Sequence, residues 1–307
     1  MSRGSLLALV GPTASGKTQS AVRIAEELGA EIVSVDSMLV YRGMDVGTAK
    51  PTPAERERIR HHLIDVAEPS EAFSVARYQR LARDAVEEVR SRDHRVLACG
   101  GSGLYFRALV DDLEFPATDA SARQHLEVEA RTFGAERMYA RLVALDPVAA
   151  AKIEPDNVRR TVRALEVAAV TGRPFSTYAR AWERYPAERV RVAGVEVAGD
   201  ALAARIRARV DRMLASGLLD EVGGLLERGL FGWLTASRAI GYAEFALHLR
   251  GELSLPEAVA GTVKRTKALA RRQLSWFRRD PRVRWFATDE RGAGAIVDEL
   301  TGYLSDG

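Results

Sequence analysis

Residues 11–18, with the sequence GPTASGKT, have the types and the spacing of a phosphate-binding P-loop. In such a loop, backbone N–H groups surround an oxyanion and a lysine places its ammonium on it, while the following hydroxyl reaches a magnesium ion. Here the ammonium is that of Lys17 and the hydroxyl that of Thr18. The sequence therefore predicts a site for a di- or triphosphate, whose candidate ligands are Gly11, Pro12, Thr13, Ala14, Ser15, Gly16, Lys17 and Thr18.

The elements on either side of this loop are those that the motif requires. The apolar run 6–10 predicts a buried strand, and residues 18–28 predict a helix that ends at Gly29. Further strands are predicted at 31–35, 62–66 and 95–99, with a helix from the N-cap Ser74 to Ser91. This alternation is typical of a parallel sheet with crossover helices, whose strand ends converge on one edge. Asp36, Ser102 and the P-loop are therefore expected around one cleft.

The pattern changes near Phe115 and Pro116 to helices without strands, and strands return at 192–197 and 283–287. The expected fold is α/β, a P-loop NTPase-like parallel sheet core with an inserted all-helical domain. The predicted boundaries are 1–111 with 186–307 for the core, including a helical C-terminal part, and 112–185 for the insertion.

Composition excludes several classes of protein. The chain has 307 residues, 47% of them hydrophobic and 28% charged, as is usual for a soluble globular protein. No apolar run approaches the roughly 20 residues that span a bilayer, and the first residues lead into a strand rather than a cleavable signal. We therefore expect a cytoplasmic protein without a membrane partner. The single cysteine, Cys99, excludes an intrachain disulfide and a thiolate zinc cluster, and its place at a strand end predicts a buried thiol.

The net charge of +3 is small, but basic residues are concentrated near the C-terminus. Between Lys264 and Arg284 the chain has nine basic residues and one acidic residue, and the aromatic residues Trp276, Phe277, Trp285 and Phe286 lie among them or directly after them. This pattern fits a surface for a polyanion with stackable bases, and it fits equally a solvated amphipathic helix whose aromatic side chains face the core.

Asp36 is the candidate for acid–base chemistry. A carboxylate at a strand end beside a phosphate site can hold magnesium, accept a proton or cap the following turn, and the sequence leaves all three open. Arg205 and Arg209 share one face of a helix predicted at 201–216, where they could neutralise a departing phosphate. The strand ending at Cys99 runs into Gly100 and lacks the Walker B carboxylate, which argues against nucleotide hydrolysis.

Taken together, the motifs resemble the tRNA dimethylallyltransferase, or isopentenyl-tRNA transferase, family. In chain order they are GPTASGKT (11–18), VDS (35–37), YRGMDVGTAKP (41–51), GGSGLY (100–105), RALEV (163–167), RVDRM (209–213), AIGYAE (239–244) and RRQLSWFR (271–278). The resemblance implies transfer of a dimethylallyl group from dimethylallyl diphosphate to N6 of the adenosine 3′ to the anticodon, with release of diphosphate. It implies that Asp36 is the base and that Lys17, Thr18 and Arg209 hold the diphosphate with Mg²⁺, Thr18 being the metal ligand.

The resemblance also assigns residues to the anticodon stem-loop of tRNA. Ser102, where the family usually has threonine, keeps the hydroxyl expected at the catalytic site, whereas Leu39 and Ala268 stand where glutamine is common. The implied tRNA contacts are Asp36, Ser37, Met38, Leu39, Ser102, Arg123, Arg159, Arg160, Thr161, Val162, Arg163, Arg238, Ala239, Ile240, Gly241, Tyr242, Ala243, Arg271, Arg272, Gln273, Trp276 and Arg278.

Two other functions stay open from the residues alone. A small-molecule or nucleoside kinase would bind ATP in the P-loop and use Asp36 as base toward a hydroxyl. A noncatalytic RNA-binding module would bind RNA whether or not Asp36 is present. For any of these functions we expect a monomer.

Overall fold

The computed structural model describes residues 6–233 and 235–306. The absence of a cleavable signal at residues 1–5 is a prediction that lies outside this range. The strands are β1 Leu6–Val10, β2 Ala30–Ser34, β3 His61–His62, β4 Arg95–Gly100, β5 Val190–Val197 and β6 Val283–Thr288. They form one sheet in the order β3-β2-β4-β1-β5-β6, in which every pair is parallel.

Twelve α-helices accompany the sheet within the described residues. They are α1 Lys17–Leu28, α2 Pro53–Arg58, α3 Val75–Ser91, α4 Gly103–Val110, α5 Ala120–Leu145, α6 Pro147–Ala150, α7 Val158–Thr171, α8 Gly199–Ala215, α9 Leu218–Glu227, α10 Tyr242–Leu249, α11 Leu255–Phe277 and α12 Val297–Ser305. Short 3₁₀ segments lie at Phe175–Glu183, Ala187–Arg189, Leu230–Gly232, Ala236–Arg238 and Gly292–Ile296. None of the helices in the described ranges is both long enough and apolar enough to cross a membrane.

Local sequence explains where these elements begin. Ser74 caps α3 by accepting a hydrogen bond from the Arg77 N–H, as predicted. Ser254 and Glu257 form a reciprocal capping box at the start of α11. Every residue of β1 is buried because its neighbours β4 and β5 flank it and α1 covers one face. The loop that leaves β1 is thereby held at the centre of the sheet edge.

The prediction of a strand over 62–66 is wrong beyond its first residue. Leu63 and Asp65 have φ values of +63° and +59°, so the extended conformation cannot continue. The chain turns instead to bond with the loop before α2: the Asp65 N–H donates to the Leu39 carbonyl at 3.1 Å. The Asp65 carboxylate accepts from the Lys50 ammonium at 2.6 Å.

The chain divides into two compact units, Met1–Val110 with Pro186–Gly307, and Asp111–Tyr185. The first contains the whole sheet. The second is made of α5, α6, α7 and the 3₁₀ segment Phe175–Glu183, and it has a core of its own that includes Leu126, Met138, Leu142 and Leu165.

Candidate active site

The P-loop takes a conformation that its glycines make possible. Gly11 and Gly16 have φ values of +148° and +92°. A Cβ on Gly11 would lie 2.7 Å from the Val195 carbonyl oxygen, closer than any side chain tolerates. α1 begins directly after Gly16, whose lack of a side chain leaves the N–H groups of the first turn uncapped and suited to an anion.

Lys17 is turned into the loop. Its side chain is buried, and Nζ donates to the Pro12 carbonyl at 2.5 Å and to Ser15 Oγ at 3.3 Å. Burial lowers the pKa of Lys17 to about 8, an effect that Cys99 and Asp36 oppose and Arg209 reinforces. The ammonium therefore sits where its charge is poorly solvated, and a bound diphosphate would supply the missing counter-charge.

Arg205 and Arg209, the two arginines of α8 that were expected at the phosphate site, make different hydrogen bonds. Arg209 lines the cleft, and its Nη2 donates to the Thr48 carbonyl at 3.0 Å. Burial lowers its pKa, and the nearby Asp36 opposes that shift. Arg205 instead binds the P-loop backbone: Nε donates to the Ala14 carbonyl at 2.7 Å and Nη1 to the Glu290 carbonyl at 2.8 Å. Both side chains line the cleft, and the expectation that they neutralise a departing phosphate stays a prediction.

Asp36 lies across the same cleft, two residues after β2 ends. Its Oδ1 accepts a hydrogen bond from the Met38 N–H at 2.8 Å, so the cap interpretation is correct for one oxygen. The same bond fixes the orientation of the carboxylate. Ser102 follows the cleft-lining Gly100 and Gly101 and caps α4, its Oγ accepting from the Tyr105 N–H at 3.4 Å.

Gln273 lines the cleft. The family resemblance implied that this residue contacts tRNA. Its Oε1 accepts a hydrogen bond from the Thr13 N–H at 2.8 Å. A Cβ on Gly101 would lie 2.3 Å from Gln273 Nε2, so this glycine admits the amide. Gln273 thus joins the P-loop to the loop after β4. No local pattern identifies such a role, because the two residues that it joins are 172 and 260 positions away.

The cleft has a volume of about 1050 Å³. Its walls are the P-loop, the loop before α2, the end of β4 and one face of α8. They bring together residues 13–19, Asp36, Leu39, residues 45–46 and 48–53, Glu55, Arg56, Glu57, Asp65, residues 99–101, Arg205, Ala208, Arg209, Arg212, Met213, Ser216 and Gln273. Cys99 is buried as predicted, and burial raises the pKa of its thiol to about 11, so it is a protonated wall residue.

The basic stretch near the C-terminus has aromatic side chains that face the core and others that are exposed beside arginines. Phe277 and Phe286 are buried, whereas Trp276 is 41% exposed and its ring covers Gly103. Arg271, Arg272 and Arg279 line a second, shallow groove of about 540 Å³ beside Trp276. Arg278 forms an ion pair with Glu196, and Arg238 is exposed.

Several residues of the motif AIGYAE are not positioned to present their side chains to RNA. Ala239, Gly241 and Tyr242 are buried, and Ile240 and Ala243 are partly buried. The Tyr242 hydroxyl donates to Glu221 Oε1 at 2.6 Å inside the protein. Ala239 and Tyr242 pack in the interior, so their side chains do not form an exposed surface. The expectation that the stretch 238–243 contacts tRNA stays a prediction.

The residues of the basic cluster 159–163 in the insertion lie on different faces of α7. Arg159 and Arg160 are exposed, whereas Thr161 and Val162 are buried in this unit. The expectation that the stretch 159–163 contacts tRNA stays a prediction. Arg163 reaches the buried Glu166 at 3.0 Å.

Arg123 binds the same carboxylate, with Nε and Nη2 at 3.0 and 2.6 Å from Glu166 Oε2. Burial alone would raise the pKa of Glu166, but hydrogen bonds from Arg123 and Arg163 bring it below its usual value. Arg123 and Arg163 therefore hold the insertion together.

A parallel sheet whose central strand enters a phosphate loop, with a lysine, an arginine and a carboxylate around one cleft, defines an α/β protein of the P-loop class that acts on a phosphate compound. The family model described as IPP transferase matches residues 39–280. The chain belongs to this IPP transferase family.

Its relatives are similar over almost their whole length. The tRNA dimethylallyltransferase of Kineococcus radiotolerans is 51% identical over 91% of this chain and 90% of the relative. That of Salinispora arenicola is 48% identical over 97% of this chain and 86% of the relative. The crystal structure of the tRNA isopentenylpyrophosphate transferase of Bacillus halodurans is 37% identical, with a TM-score of 0.71, and the match covers 99% of this chain and 96% of that one.

Proposed function

We propose that this chain transfers the dimethylallyl group of dimethylallyl diphosphate to N6 of the adenosine 3′ to the anticodon in tRNA, releasing diphosphate. The observation that carries the proposal is the cleft itself, in which Lys17 and Arg209 face Asp36 in a chain of the IPP transferase family. The names of its relatives, tRNA dimethylallyltransferase, supply the donor and the acceptor.

The diphosphate is held by the P-loop and by two cations. The N–H groups of the loop and of the first turn of α1 bind its oxygens, and Lys17 exchanges its bond to the Pro12 carbonyl for one to the anion. Arg209 approaches from α8. As the C–O bond of the donor breaks, negative charge grows on this group, so both cations stabilise the transition state more than the ground state.

The residues fit a magnesium ion that is held chiefly by its substrate. The described part of the chain has no group of three or more acidic, histidine or cysteine residues that could hold a metal by itself. Thr18 stands in the first turn of α1 and lines the cleft, so its hydroxyl would hold the ion together with the bound diphosphate. The ion would neutralise charge on the leaving diphosphate.

Asp36 is the base. The lone pair of the adenine N6 is delocalised into the ring, so the amine is a poor nucleophile until its proton is accepted. As the bond from N6 to the allylic carbon forms and the C–O bond breaks, the N6 proton passes to the carboxylate of Asp36, whose direction is set by the Met38 N–H. Ser102, at the start of α4, is proposed to contact the same nucleotide.

The tRNA is proposed to lie on exposed cations of each unit. In the insertion these are Arg159 and Arg160, and in the core unit they are Arg238, Arg271 and Arg272, with Trp276 as a stacking surface beside the last two. The enzyme is proposed to act as a monomer in the cytoplasm, where tRNA is found. The kinase function is not favoured, since the chain belongs to the IPP transferase family and its relatives are named tRNA dimethylallyltransferase.

Labelled donor, magnesium and bulk tRNA test the proposal, with labelled ATP in a parallel assay. Label should pass from dimethylallyl diphosphate to tRNA, and Asp36→Asn should lower turnover by roughly 100-fold or more with little change in tRNA affinity. Glu57→Gln, which removes a carboxylate from the same cleft at an exposed position, is the matched control and should keep normal turnover. Label incorporated only from ATP would replace the proposal by a kinase.

A further inference from the structure

The carboxylate of Glu221, on α9, binds three consecutive backbone N–H groups of the loop before α2. Its Oε2 accepts from Asp45 and Val46 at 2.8 Å each, and its Oε1 accepts from Gly47 at 3.0 Å. A run of N–H groups that converge in this way is a site for an anion. Here the anion is an internal side chain, so the conformation of the loop depends on a carboxylate from a helix 174 residues further along the chain.

Tyr242 completes the arrangement from α10. It is fully buried, and its hydroxyl donates to Glu221 Oε1 at 2.6 Å. Burial raises the pKa of Tyr242, and the neighbouring carboxylate raises it further, so the hydroxyl stays protonated and donates. The ring also lies against the loop, since a Cβ on Gly47 would come within 2.6 Å of it.

The next residue of the loop, Thr48, contacts Arg209 in the cleft. The Thr48 carbonyl accepts the hydrogen bond from Arg209 Nη2 at 3.0 Å. On the far side of Thr48, Lys50 fixes the loop a second time, with Nζ 2.6 Å from both Asp45 Oδ1 and Asp65 Oδ1. The carbonyl that orients Arg209 therefore stands between two anchors.

We propose that Glu221 and Tyr242 are positioning residues for the diphosphate site, which hold the loop 45–48 so that the Thr48 carbonyl directs Arg209 at the leaving group. The inference rests on the proposed function and goes beyond it in one respect: Tyr242, which the resemblance assigned to tRNA, supports the donor site through Glu221 and the loop that orients Arg209. Neither Glu221 nor Tyr242 is among the residues that line the cleft.

Glu221→Gln tests the idea with almost no change in volume. Whichever way the amide is placed, its NH₂ group faces two hydrogen-bond donors, Asp45 and Val46 on one side or Gly47 and Tyr242 on the other. The loop must shift, and kcat/KM for the prenyl donor should fall about 10-fold with KM for tRNA unchanged. Asp220→Asn, an exposed change of the same type on the same helix, should leave the kinetics at wild-type values.

A double-mutant cycle separates positioning from general destabilisation. The affinity for inorganic diphosphate with Mg²⁺ is measured by calorimetry for the wild type, Glu221→Gln, Arg209→Ala and the double variant. If Glu221 acts through Arg209, its substitution should cost less than 2-fold once Arg209 is gone. Equal losses in both backgrounds would overturn the inference.

Tyr242→Phe provides a second test of the positioning role if Glu221→Gln does not fold. It removes one hydrogen bond from the carboxylate and keeps the ring against Gly47, so diphosphate affinity should fall about 3-fold or more, again only when Arg209 is present. A loss of tRNA affinity with normal diphosphate affinity would return Tyr242 to the tRNA surface and refute the inference. A wild-type enzyme that binds no diphosphate would refute the proposed function, whereas wild-type binding with additive losses would refute only the positioning role.

Discussion

Lys17→Met should make the ligand-free protein more stable while removing its ability to hold the donor. Lys17 is 7% exposed, and its pKa falls from 10.5 to about 8 in the folded chain. A change of this size means that keeping the ammonium charged at pH 7 costs the folded state about 3 kcal/mol. Methionine has a similar length and no charge, so the cost disappears.

The loss of a hydrogen bond offsets part of the stability that Lys17→Met gains by removing the buried charge. Methionine cannot replace the hydrogen bond from Nζ to the Pro12 carbonyl, which contributes about 1 kcal/mol. The net increase in the free energy of unfolding at pH 7 should therefore be about 2 kcal/mol. Urea denaturation of the two proteins without ligand measures it.

The difference in the free energy of unfolding between the wild type and Lys17→Met should also change with pH, which tests the buried charge of Lys17 more directly. Because the folded-state pKa of Lys17 lies below the unfolded value, the unfolded state binds more protons between pH 8 and about pH 10.5, and wild-type stability rises with pH over that window. The advantage of the variant should be complete below pH 8 and should vanish, or change sign by about 1 kcal/mol, near pH 10.5. Other titrating groups are common to both proteins and cancel in the difference.

A variant that is less stable than the wild type at pH 7, or a difference that does not change with pH, would refute the reasoning. Diphosphate with magnesium should reverse the order, because only the wild type gains stability from a ligand that it binds well. The lysine is on this account a functional charge that the fold tolerates at a cost.

Three further outcomes follow from the geometry. Affinity for diphosphate should fall about 10-fold for each pH unit above pH 8, as calorimetry would detect, because only the charged form of Lys17 binds it well. Gly292→Ala should lower the free energy of unfolding by about 2 kcal/mol and weaken diphosphate binding, since the new Cβ at φ +72° would lie 2.7 Å from the Ser15 carbonyl; Gly294→Ala, with open space around it, should do neither. Arg160→Gln should flatten the salt dependence of tRNA binding by up to about one unit of log–log slope, whereas Arg163→Gln should keep the slope and cost about 1–3 kcal/mol of stability, because it takes a partner from the buried Glu166. An unchanged slope in the first variant would remove Arg160 from the RNA surface.

The accuracy of the sequence-based expectations differs between elements for a physical reason. Predictions that depend on neighbours in the chain were correct: Ser74 caps α3, and the apolar run 6–10 is a buried central strand before the P-loop. Predictions that depend on distant partners were less reliable. The strand expected over 62–66 ends after His62, since Asp65 turns away to meet Lys50.

Each motif contains residues with a structural role and residues that could contact a substrate, and the sequence alone does not distinguish them. In the cluster 159–163, helical spacing shows that Arg160 and Val162 point in different directions, but only the packing of α7 on α5 shows which of them faces the core. Arg205 and Arg209 share one helix face, yet Arg205 binds the P-loop backbone and Arg209 binds the Thr48 carbonyl in the loop before α2.

The sequence by itself determined the class of chemistry. The spacing of 11–18 between a strand and a helix predicts an anion site, because the residues that form it are contiguous and their conformation is set by glycine and by the helix start. The tertiary structure alone decided how that site is supported. Gln273, Glu221 and Tyr242 act across separations of 21 to 260 residues, through hydrogen bonds that exist only once the sheet edge, α9, α10 and α11 are packed together.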